Sequence, residues 1–219
     1  MKRIDIATLI KQNKDIVLFL LLMIIFRSSF ADINRVPTGS MKPTIVEGDR
    51  IVINKLAYDL QFPLTNTKLF KLADPERGDI VIFESSISKQ RLVKRVIGVP
   101  GDVISMQNNH ITINDQRLSY KDSLSSTSEQ YKDLQEDLLG TLHQIRIQNH
   151  QSYLSSFESL KVPNGYYLAL GDNRDNSADS RVIGLVPRNE IIGRSRHVLV
   201  SLNPERFYLP RPSRFIKTL

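Results

Sequence analysis

Eleven consecutive uncharged, apolar residues, Ile16 to Phe26 (IVLFLLLMIIF), constrain this chain more than any other feature. A spanning helix needs about 20 such residues, so the run alone falls short. Extending it to Ile33 takes in Arg27 and Asp32, and Arg27 would then snorkel to the headgroups of a short or tilted crossing. Three readings are open: a retained anchor over 16–33, a cleaved signal peptide, or a buried helix. A cleaved signal wants a small-x-small site after the run, which Ser28 to Ala31 (SSFA) imitates weakly. The anchor is the reading carried forward. Lys2, Arg3, Lys11 and Lys14 all precede the run. Basic residues favour the cytoplasmic side, which puts segment 1–15 in the cytoplasm and the domain 34–219 outside, in single-pass form.

The 219 residues suffice for one substantial domain or two small ones. A net charge of +7 suits nucleic acid or an anionic membrane surface. The excess is uneven: Arg188 to Leu219 carries seven Lys/Arg against two Glu, whereas Lys121 to Leu160 carries three against six Asp/Glu. No basic stripe with interleaved aromatics appears, so nucleic acid is not an expected partner. The chain has no cysteine, which excludes disulfides, thiol catalysis and zinc-thiolate sites together. Its four histidines (His110, His143, His150, His197) form no HxxH or HExxH pair, so no metal or other cofactor is expected.

Beyond Arg35 the chain reads as β. Asp49 to Tyr58, Gly78 to Ser85, Arg91 to Gly98, and the segments GYYLALGD and GRSRHVLVSL are β-branched and strand-like. PGDVISMQNNHITINDQRLS reads as a hairpin turning at Asn108-Asn109, with a further turn beginning at Asn114-Asp115. Segment 121–160 is polar and weakly periodic. It reads as an insertion of hairpins and loops between core strands, with a short helix near YKDLQEDLLGTL.

Three stretches carry candidate chemistry. RVPTGSMKPTI (Arg35 to Ile45) sets Ser40 on a turn that Gly39 loosens and the prolines keep irregular. Ser40 is either an idle loop hydroxyl or a nucleophile in need of a base. RLVKRVIGV contains Lys94 among aliphatics. On a strand Lys94 shares its face with Leu92 and Val96, while Arg95 points to solvent or an ion pair. Burial would lower the Lys94 pKa and fit it as a base. An edge-strand lysine that resists aggregation is the competing reading. GDNRDNSADSR (Gly171 to Arg181) is a loop rich in Asx turns, a calcium loop, or an internally bonded prop for a neighbouring site. The EF-hand form fails, because Ser180 and Val186 stand where Gly and Glu are required.

PTGSM, KRVIGVPGD and GDNRDNSADSR occur in that order after an apolar N-terminal run. The ordered trio resembles the bacterial type I signal peptidases. The resemblance covers the anchor and most of the β-rich chain but not the 121–160 insertion. It implies a mainly β fold: a transmembrane helix followed by a coiled β-sheet catalytic domain. It implies a serine endopeptidase with Ser40 as nucleophile and Lys94 as general base. Thr38 and the Ser40 backbone N–H would form the oxyanion hole, with Thr standing where members often have Ser. Ser177 would orient the lysine amine, and Asp179 and Arg181 would form a supporting ion pair. The implied partners are membrane lipid and secretory preproteins with Ala-x-Ala-type cleavage sites, read by shallow apolar pockets near Ile80, Ile82 and Val93. The implied location is the outer (periplasmic) face of the bacterial plasma membrane. A dedicated processing peptidase of a secretion or conjugation system would keep the same dyad. A self-cleaving Ser–Lys regulator would want a DNA-binding helical domain in place of the apolar run. A membrane-anchored binding domain would leave Ser40 incidental.

Overall fold

The computed structural model describes residues 13–65, 67–150 and 152–219, without the side chains of 25–27 and 124–127. The expected cytoplasmic segment 1–15 lies, up to residue 12, outside the described residues, and so does the side chain of Arg27. Helix α1 (Lys14–Ser29) holds the apolar run. Strands follow in the order β1 (Ala31–Arg35), β2 (Asp49–Asn54), β3 (Asp59–Gln61), β4 (Lys68–Lys71), β5 (Ile80–Ser85), β6 (Gln90–Gly98), β7 (Val103–Gln107), β8 (His110–Ile113) and β9 (Gln116–Arg117). Then come β10 (Ser119–Thr127), β11 (Tyr131–Leu138), β12 (Thr141–Gln148), β13 (Phe157–Lys161), β14 (Tyr166–Leu170), a one-turn helix α2 (Ser180–Ile183), β15 (Val186–Pro187), β16 (Ile191–Asn203), β17 (Leu209–Pro210) and β18 (Lys217–Thr218).

The main sheet runs β1-β2-β16-β5-β6-β14-β15, with β17 and β18 also on β16. Its β-branched strands bury Ile51, Ile53, Val81, Ile82 and Val96 completely. A second sheet, β13-β7-β8-β9, contributes Ile104, Met106, Ile111 and Ile113 to an apolar cluster with Ile97 and Leu168. The Asn108-Asn109 and Asn114-Asp115 turns form as expected, with φ of 49°, 62°, 49° and 64°. Asn and Asp tolerate this left-handed backbone better than other non-glycine residues.

Two expectations need correction. The expected helix near YKDLQEDLLGTL is the hairpin β11–β12, in which Leu138 pairs with Thr141 across Leu139-Gly140. Leu134, Glu136 and Leu138 point inward at a period of two, so β pairing overrides the helical propensity of Leu, Glu and Gln. The anchor expected over 16–33 is shorter as a helix. α1 stops at Ser29, and Ala31–Arg35 pairs residue for residue with Asn54–Arg50 as an edge strand. Among the described residues, no helix is long and apolar enough to cross a membrane. α1 has 16 residues, about 24 Å at 1.5 Å per residue. Ile16 to Ile24 are 41–64% exposed, apolar all round and left uncovered by the other described residues.

The helix joins the sheet without slack. Lys55 Nζ donates to Ser28 O (2.8 Å), Lys55 N donates to Phe30 O (3.0 Å), and Leu64 N donates to Ser28 Oγ.

Candidate active site

Ser40 lies on the turn between β1 and β2, and that turn is built locally. Lys42 N bonds Gly39 O (3.1 Å), and Ile45 N bonds Met41 O (2.9 Å). Met41 and Ile45 then sink into a cluster with Val36, Ile80, Ile82 and Val198, which roots the turn on the sheet. Ile80 and Ile82 are fully covered in that cluster, whereas Val93 is partly open.

Lys94 sits on β6 opposite Val81. Leu92 and Val96, two positions either side, pack with Val81 in one apolar cluster. The residue is 2% exposed, and its Nζ donates to Ser40 Oγ at 2.7 Å. Burial pushes the amine down to about 8, while Asp179 and Asp172 pull it up and Arg181 pushes it down again. About a tenth is therefore neutral at pH 7, far more than for an ordinary lysine, and a base must be neutral to act. Arg95 takes the ion pair rather than solvent. It is buried and grips Asp172 through Nε (2.9 Å) and Nη2 (2.8 Å).

The Gly171 to Arg181 loop closes the other side, and it is the internally bonded prop of the three readings. Arg181 holds Asp179 through Nε (2.8 Å) and Nη2 (2.6 Å) and also caps the carbonyls of Leu154 and Arg174. Asp179 accepts from Gly171 N at 2.9 Å and caps α2. Gly171 permits a close approach: a Cβ there would lie 2.5 Å from Ser40 O and 2.6 Å from Ser177 Cβ. Ser177 and the Ser40 turn thus both pack against Gly171. The Ser177 Oγ is buried without a hydrogen-bond partner, and Lys94 Nζ bonds Ser40 instead. Thr38 is exposed on the same turn, two residues before Ser40.

Several supports went unforeseen. Thr44 Oγ1 donates to Asp172 Oδ2 (2.5 Å), tying the Ser40 turn to the loop. Asn173 donates to Gly39 O and Ser40 O. The 121–160 insertion buttresses the loop: Arg146 on β12 bridges Asn173, and its amide donates to Asp172 O (2.8 Å). Glu136 on β11 binds Arg174 through two bonds (2.9 and 2.5 Å), both side chains being fully buried. Tyr120 O–H adds a third bond to Glu136 (2.7 Å), and His143 Nε2 lies 3.2 Å away. The charge density of the loop was the available signal. Its partners lie as far as 134 residues away, beyond any local pattern.

A hydroxyl bonded to a buried lysine, its amine pushed down to about 8, on a β-sheet is the arrangement of a serine peptidase. Residues 9–200 match the family described as signal peptidase, peptidase S26. The chain belongs to that family: it is a signal peptidase, a serine peptidase of the S26 kind. It is 32% identical to a signal peptidase I of Pseudomonas fluorescens over 224 residues, covering 94% of this chain and 78% of that one. It is also 32% identical to a signal peptidase I of Bacillus amyloliquefaciens, covering 89% and 86% respectively. A crystal structure of a signal peptidase I from Enterococcus faecalis aligns at 31% identity with a TM-score of 0.38, over 56% of this chain and 97% of that one.

Proposed function

We propose that this peptidase works at a membrane surface from its apolar N-terminal helix. It removes signal peptides from secretory preproteins, with Ser40 as nucleophile and Lys94 as general base. The observation that carries the reading is the 2.7 Å bond between Lys94 Nζ and Ser40 Oγ at a lysine that is 2% exposed.

In the reaction, neutral Lys94 takes the Ser40 proton as Oγ attacks the scissile carbonyl. The ammonium then protonates the leaving amine. Neutral again, it takes a proton from the water that hydrolyses the acyl-enzyme. The Ser40 N–H and the Thr38 hydroxyl stabilise the oxyanion, each donor contributing about 3 kcal/mol in the transition state. Ser177, buried and with its hydroxyl unengaged, orients the Lys94 amine once Ser40 has given up its proton. Asp179 and Arg181 hold that wall in place.

The all-round apolar face of α1 supports a membrane setting, with lipid as its cover. The catalytic domain then lies on the outer face, where a preprotein tethered by its signal segment emerges. Small residues at substrate positions −1 and −3, the Ala-x-Ala pattern, fit this reading.

The test is cleavage of an Ala-x-Ala preprotein by the detergent-solubilised full chain, beside Ser40→Ala and Lys94→Ala. Cleavage after the second Ala is expected, lost in both variants. Retained cleavage in either folded variant would remove that residue from the reaction.

A further inference from the structure

The Ser40–Lys94 pair supplies a nucleophile and a base, but acyl transfer also needs the oxyanion donor to point correctly. Gly39 and Ser40 share one peptide plane, and that peptide is trans. In a trans peptide the carbonyl and the N–H point in opposite directions and cannot turn independently. Whatever fixes the Gly39 carbonyl therefore fixes the direction of the Ser40 N–H.

Two donors hold Gly39 O: Lys42 N at 3.1 Å, from within the turn, and Asn173 Nδ2 at 2.9 Å, from the opposite loop. The Asn173 backbone N–H also holds the next carbonyl, Ser40 O, at 3.0 Å. One residue thus sets the peptide planes on both sides of the nucleophile. Asn173 is itself held fast. It is 6% exposed and bridges Arg146 on β12. On one side Asp172 is paired with Arg95, and on the other Arg174 is paired with Glu136.

We propose that Asn173 is a positioning residue that aims the Ser40 N–H at the developing oxyanion. The inference rests on the Ser40 reading above. It assigns the 121–160 insertion a task in catalysis: its strands β11 and β12 clamp the residues that flank and bridge Asn173.

Asn173→Asp tests it, because the side chain keeps its shape but offers Gly39 O an acceptor in place of a donor. Asn173→Ala removes the donor without that repulsion. The full chain in detergent is assayed for kcat, KM and the pH profile. Affinity is measured for a peptide aldehyde, which forms a tetrahedral adduct with the serine, and for an unreactive peptide of the same sequence. The expected result is a fall in kcat of about a hundredfold for Asn173→Asp, smaller for Asn173→Ala. Aldehyde affinity should fall alongside kcat. KM, affinity for the unreactive peptide and the pH midpoint should stay within about twofold or a few tenths of a pH unit of the parent values, because donor geometry acts on the transition state.

The inference is overturned if both variants keep kcat within threefold of the parent. It is also overturned if the loss sits in KM or moves the pH midpoint. Failure of both variants to fold, read by circular dichroism, would equally overturn it, since Asn173 would then be a stability residue. Ser40→Ala in the same assay separates the two readings. An active Ser40→Ala refutes the nucleophile itself. An inactive Ser40→Ala beside a fully active Asn173→Asp refutes only the role of Asn173.

Discussion

Lys94 Nζ lies 2.7 Å from Ser40 Oγ, although the two residues are 54 positions apart and Lys94 is 2% exposed. In the proposed mechanism the amine takes up the serine proton only when neutral. With burial pushing Lys94 down to about 8, the neutral form dominates above that pH and is lost below it. kcat/KM should therefore rise about tenfold per pH unit from pH 6 and level off above about 8, as read from a pH–rate profile. Lys94→Arg should leave no measurable turnover at any of these pH values, because guanidinium stays protonated.

The Asp179–Arg181 pair sits behind that lysine. Asp179 pulls the Lys94 pKa up and Arg181 pushes it down. Asp179→Asn removes the upward pull and leaves the buried Arg181 without its carboxylate. The acid limb of the pH–rate profile should move below pH 8 while the thermal midpoint falls. The profile and a melting curve on the same variant check both. A limb that moves to higher pH would contradict this charge arrangement.

Glu136 and Arg174 form a fully buried pair across the insertion and the site loop. Burial alone would raise the Glu136 carboxyl, but Arg174 and His143 outweigh it and hold it well below the usual carboxylate range. A carboxylate depressed in the folded state stabilises the fold above its unfolded pKa of about 4.3. That contribution drains away as pH falls below that value. Urea unfolding at pH 7 should show Glu136→Ala losing about 3–5 kcal/mol, since the variant strands a buried guanidinium. The gap between variant and parent should narrow in acid.

This pair also marks where the sequence ceased to be readable. The main-sheet strands announced themselves through runs such as IVIF and LVKRVIG, and the two Asn-led turns through residues that tolerate positive φ. Ser40, Lys94 and the charged loop stood out because their neighbours made them chemically odd. The insertion was obscure because its inward stripe, Leu134-Glu136-Leu138, has a charge at its centre. Inward polarity breaks the alternation that marks a strand, and the reason for it, Arg174, lies on another segment. Asn173 was invisible as an individual for the same reason. Its task is defined by two carbonyls 133 and 134 positions earlier, and backbone carbonyls leave no trace in a sequence.

The junction between α1 and β1 carries a final consequence. Phe30 alone separates helix from strand; Lys55 binds Phe30 O and Ser28 O, and Leu64 N binds Ser28 Oγ. A peptidase on a loose tether would sweep an arc and cut wherever a susceptible bond came within reach. Here Lys55 and Leu64 pin the junction to the domain that carries Ser40, a post in place of a leash. On the proposed reading, the height of Ser40 above whatever embeds the helix becomes a property of the fold, and the cut site would be gauged by distance as well as read by side chain.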